Sequence, residues 1–168
     1  MRSEIRNEIW SLAASSFQHD DGSLPGIELA NLLPGEVPAL YEFLRDRSQI
    51  EGEMPTFWDH ELEQNRPISS VENPASLVVS GRADCFHYCI SGVSVAGTEL
   101  PVLGVFVFPD SVELDYRMGE NWRQAQVLGL FSLLKELLSL THSATLRPTY
   151  DGPPDPGSFM AAWKLFNA

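Results

Sequence analysis

Lysine is almost missing from this sequence. Two Lys and nine Arg stand against 23 Asp+Glu, giving a formal charge of −12 over 168 residues. Nucleic-acid binding by phosphate neutralisation needs a basic surface, and so does docking on anionic lipid; the charge balance argues against both. Cysteine is equally scarce, and Cys85 and Cys89 alone cannot build a disulfide scaffold. Long apolar runs are absent too: the longest, at 102–108, falls far short of the ~20 residues a membrane-spanning helix requires. At the N-terminus Glu4 and Glu8 interrupt Arg2 and Arg6, and the apolar stretch that follows is too short and polar for a signal peptide. A cytoplasmic location is therefore expected. The short catalytic signatures G-x-S-x-G, C-x-x-C, H-E-x-x-H and the P-loop are missing as well.

What is present is the composition of one folded domain, 43% apolar and 10% aromatic, over residues 1–168. Ile5, Ile9, Leu12 and Ala13 share one face of a first helix that ends near Ser16, before the turn cluster at 19–23. Residues 26–32 alternate weakly as a short strand. Pro34 and Glu36 open a second helix with Val37, Leu40, Tyr41 and Leu44 on its apolar face. Residues 48–73 are irregular, with a candidate strand at 57–63 that places Phe57 and Asp59 on one side and Trp58 and His60 on the other.

The fold class follows from the middle of the chain. Residues 84–95 alternate, 102–108 are continuously apolar and 112–117 alternate again, with short turns between them. That pattern predicts an antiparallel β-meander over about 83–117, its apolar strand central. Gly104 within that strand marks a bulge or a close approach. A long helix over about 121–141, capped by Asn121 with Gln124 three residues on, is apolar over most of its circumference and must pack across the sheet. The expected class is α+β. Residues 142–157 read as a Pro-rich loop leading to a terminal helix over 158–167, capped by Ser158. Its face of Phe159, Met160, Trp163 and Phe166 must dock, because so short a helix is not stable alone in water. Docking on its own domain is the simpler expectation, and docking on a second copy or a partner the sharper one.

Residues that could carry chemistry are few. Cys85, His87 and Cys89 lie two apart, so on a strand the two thiols are ~13 Å from each other, too far for a disulfide or one zinc ion. Small buried thiols beside a hydrogen-bonded histidine are expected instead, with no metal and no cofactor. Glu113 and Asp115 share a strand face at a spacing an acid/base pair can use, but Arg117 continues that face and would balance them.

The charge is the remaining lead. Residues 7–65 hold twelve acids against Arg45 and Arg47 only, a net of −10, whereas residues 66–168 are near neutral at −3. Glu51, Glu53, Asp59, Glu61 and Glu63 surround Phe57 and Trp58, and acids around aromatic anchors are what captures a basic protein. These seven residues are the expected partner-binding set. The small acidic α+β layout without a catalytic motif is similar in general character to immunity proteins that block bacterial toxins, a likeness that transfers no residues. The alternative is a small enzyme or ligand-binding domain, with a pocket between sheet and helices and His60 or His87 working with carboxylates. A homo-oligomer through the terminal helix is a further possibility.

Overall fold

The computed structural model describes all 168 residues. Helix α1 (Ser3–Ala13) runs into a 3-10 turn, followed by β1 (Gly26–Ala30), α2 (Glu36–Arg45), β2 (Gln49–Ile50), β3 (Thr56–Asp59), β4 (Gln64–Pro67) and α3 (Pro74–Val79). Then come β5 (Phe86–Ser91), β6 (Ser94–Val95), β7 (Thr98–Glu99), β8 (Leu103–Val107), β9 (Val112–Tyr116), α4 (Gln124–Ser139), β10 (Thr145–Pro148) and α5 (Pro156–Asn167). No helix is long and apolar enough to cross a membrane.

The fold is α+β. A six-stranded sheet has the order β10-β1-β9-β8-β5-β2, every pair antiparallel. The meander is its centre, with β8 between β5 and β9 as its continuous apolar run requires. Period two then sorts the side chains. Phe86, Tyr88, Ile90, Leu103, Val105, Val107, Val112, Leu114, Tyr116, Ile27 and Leu29 are all buried, and they join helix residues such as Leu40, Leu130 and Phe131 in one contiguous core. The opposite face carries Glu28, His87, Cys89, Phe106, Glu113 and Asp115, polar side chains for the most part, and adds nothing to that core. One face of the sheet is thus packed under helices and the other is left uncovered.

Several sequence expectations change in detail. The connection between β5 and β8 is a small β6–β7 hairpin whose Thr98 and Leu100 sit against Gly129 of α4; a Cβ at Gly129 would press on Leu100. Helix α4 starts two residues later than the Asn121 cap implies, with Arg123 at the cap position. Its first residue, Gln124, donates instead to Asn7 Oδ1, tying α4 to α1. The Pro-rich 142–157 segment holds an edge strand, β10, which pairs with β1; Pro148 is tolerated because it ends a strand at the sheet's rim. Asp155, not Ser158, caps α5, accepting from the Ser158 N–H at 3.0 Å. Phe159 packs against Phe17 and Phe131, and Trp163 against Phe131, so the apolar face of α5 docks on its own chain. Met160 and Phe166 of the same helix are partly buried against the core.

The 56–67 region departs furthest. It is a tight hairpin, β3 with β4, rather than a single strand to residue 63. Asp59 is fully buried at the turn: Oδ1 accepts from the N–H groups of Glu61 (3.0 Å) and Leu62 (3.2 Å), while Oδ2 accepts from Arg66 at 2.8 Å with Arg82 at 3.6 Å. The hydrogen bond from Arg66 is the main reason this carboxyl is held down to about 2, the turn N–H groups and the Arg82 charge adding to it.

Candidate functional site

The seven residues expected to meet a partner do not form one surface. Phe57 and Asp59 are buried and unreachable: Phe57 packs against Phe86, and Asp59 is the staple of the hairpin. Glu61 is paired with Arg82 at 2.9 Å. Trp58, Glu51, Glu53 and Glu63 remain exposed, the carboxylates without ion-pair partners.

Long-range pairing redistributes the charge. Four acids of the first third are paired with arginines from the near-neutral remainder: Arg117 with Asp20, Arg147 with Glu28, Arg66 with Asp59, and Arg82 with Asp59 and Glu61. Glu36 is buried and accepts from the Leu33 and His142 N–H groups and from His142 Nδ1. Arg117 leaves the sheet for Asp20 because β9 ends at Tyr116, so it does not balance Glu113 and Asp115 as the spacing suggested. Those two carboxylates stand on the uncovered face with no arginine of their own.

The register assembles that face in two cross-strand rows. His87 lies opposite Phe106, Phe106 opposite Glu113, Glu113 opposite Glu28, and Glu28 opposite Arg147. One pleat along, Cys89 faces Gly104, Gly104 faces Asp115, and Asp115 faces Gly26. The glycines are floor. A Cβ at Gly104 would overlap the Asp115 carboxylate, and one at Gly26 would overlap that of Glu113. Both acids therefore lie flat over backbone in a shallow trough. Asp115 Oδ2 accepts from His87 Nε2 at 2.7 Å, and the His87 ring leans on Phe106, which stacks on Phe108 at 4.6 Å. At the rim, a cleft of about 540 Å³ is lined by Glu28, Glu113, Asp110, Arg147, Phe108 and Tyr150 among others.

Electrostatics follow from this geometry. The hydrogen bond to Asp115 raises His87 above the ordinary histidine value, with Asp115 and Glu113 charge adding to it. Glu113 is raised by partial burial first, then by Asp115 and Glu28. The Cys89 thiol is pushed up by burial and by Asp115 and Glu51, the opposite of what a nucleophilic cysteine needs. Cys85 is exposed rather than buried as expected, and its thiol is also raised, chiefly by desolvation. The other histidine of the enzyme reading, His60, is away from this face and bonds Asp84 at 2.8 Å. His60 and His87 thus hold different carboxylates, Asp84 and Asp115.

The glycine floor yields a test. In Gly104→Val the new side chain must lift Asp115 off the sheet, breaking its bond to His87. The His87 ring should then titrate nearer the ordinary ~6.5 in an NMR titration. A His87 midpoint unchanged from wild type contradicts this account of the trough.

No family model, curated protein or solved structure matches the chain.

Proposed function

We propose that this protein is a non-catalytic binding domain whose uncovered sheet face captures and neutralises a basic protein, as an inhibitory or immunity-type protein does. One observation carries the reading. Arg117 and Arg147 pair with Asp20 and Glu28, leaving Glu113 and Asp115 without an arginine beside the stacked Phe106–Phe108 pair, with His87 bonded to Asp115. Acidic groups speed encounter with a cationic surface, and partly desolvated aromatics supply contact energy once it arrives. The flat trough suits an extended arginine- or lysine-bearing segment laid across the strands.

A second reading has one observation in its favour. The His87–Asp115 pair at 2.7 Å beside the rim cleft has the form of a general base with its orienting acid. Backbone amide shifts during titration with a nona-arginine peptide separate the readings. Binding predicts shifts concentrated at His87, Phe106, Glu113 and Asp115. Shifts concentrated instead at residues 51–63, or spread evenly over all acidic residues, count against the sheet face.

A further inference from the structure

The row that joins His87, Phe106, Glu113, Glu28 and Arg147 holds a histidine and a glutamate that are both raised from their ordinary values, placed on the face assigned above to the basic partner. We propose that His87 and Glu113 make this face a proton-gated docking surface, which holds a cationic segment at neutral pH and releases it on mild acidification. The proposal rests on the docking reading and adds its regulation.

Tyr150 lines the rim cleft beside Glu113, and the strands and loops around the two groups supply the other neighbours. On β5 the same-face neighbour is Cys89; β8 contributes only Phe106 and Gly104, neither charged; β9 contributes Asp115. From β1 comes Glu28, already held by Arg147 of β10 at 2.7 Å. Asp110 and Asp151 act on the cluster from the loops flanking β9 and β10, and Glu51 acts at Cys89 from beyond β2. Among these, Arg147 is the single permanent cation. Every other charge around Glu113 except His87 is negative, which disfavours a further negative charge there. The same negative charges favour the imidazolium at His87, seated on Asp115.

The sign is the same for both groups. Glu113 is raised from the usual glutamate value and His87 from the usual histidine value. Falling pH therefore completes the charge on His87 and discharges Glu113 sooner than it would for an ordinary histidine or glutamate. The face becomes more positive by up to two charges, and a cationic segment loses its closest counter-charge. By linkage, release of the segment and proton uptake by the face are the same event. The charge change is local to the row, so no conformational change is needed.

The experiment measures affinity for a nona-arginine peptide at pH 8 and pH 5 at constant ionic strength, alongside an NMR titration of His87 and Glu113 in the free protein. Wild type should bind about tenfold more weakly at pH 5. The double variant His87→Gln/Glu113→Gln should bind more weakly than wild type at pH 8, yet change by less than about twofold between the two conditions. Glu53→Gln, one charge removed away from the trough, should keep the full wild-type response. A wild-type affinity that is flat with pH overturns the gate, and so does a double variant that keeps the tenfold fall. So does a titration in which neither group takes up a proton between pH 8 and pH 5. A peptide that does not bind at pH 8 instead overturns the docking reading, and the gate with it.

Discussion

Asp59→Ala should lower the melting temperature at pH 7 by roughly 10 °C, the largest stability loss of any single charge removal in this chain. The carboxylate is fully buried and makes four interactions, two with turn N–H groups and two with Arg66 and Arg82. Alanine leaves the largely buried Arg66 guanidinium without its counter-charge and the β3–β4 turn without its acceptor. Asp59→Asn keeps an oxygen for the turn and should cost less. The pH dependence has a definite sign. This carboxyl is depressed to about 2, so its stabilisation is present above the unfolded value of 3.8 and is lost as pH falls from there through about 2. The gap in melting temperature between wild type and Asp59→Ala should be widest near neutrality and narrow towards pH 2. A gap that stays constant across that range contradicts the ion-pair account.

The staple also explains what sequence reading could and could not find. Phe57 and Asp59 do share a side, as alternation suggested, but the side faces inward, and an aspartate among acids reads as surface until its arginines are located. Arg66 and Arg82 lie 7 and 23 positions away, and Arg82 approaches through the Asp59–Ala83 bridge. Strand β4 (Gln64–Pro67) is polar throughout and helix α3 is six residues long, so neither shows a hydrophobic period. The meander and α4 were legible because their apolar patterns are long and unbroken. Gly104 was legible as a close approach, though not what approaches it.

The site was half legible for the same reason. Period two puts Glu113 and Asp115 on one face without any structure. Their lack of an arginine depends on Arg117 finding Asp20, 97 residues away, and Arg147 finding Glu28, 119 away. Local counting placed the −10 in residues 7–65. Folding hands much of it to arginines from elsewhere and leaves an unneutralised patch on strands that look balanced in sequence.

The second large effect is on association. Neutralising the trough with Glu113→Gln and Asp115→Asn removes two charges that have no arginine partner and sit beside aromatic contact area. Neutralising two exposed loop acids with Glu51→Gln and Glu53→Gln removes the same net charge from the region the sequence nominates. Steering by overall charge would respond equally to both pairs, whereas a defined docking face would not. The trough pair should weaken binding of a basic partner by about 100-fold, with the loss divided between association and dissociation rates. The loop pair should change it by less than about threefold, mostly through association.

The decisive measurement is the association rate of nona-arginine peptide against salt concentration for wild type and the two double variants. The sheet-face account predicts a steep fall with salt for wild type and the loop variant, and a shallow one for the trough variant. Identical salt slopes for the two variants, or a salt-independent rate for wild type, would contradict it.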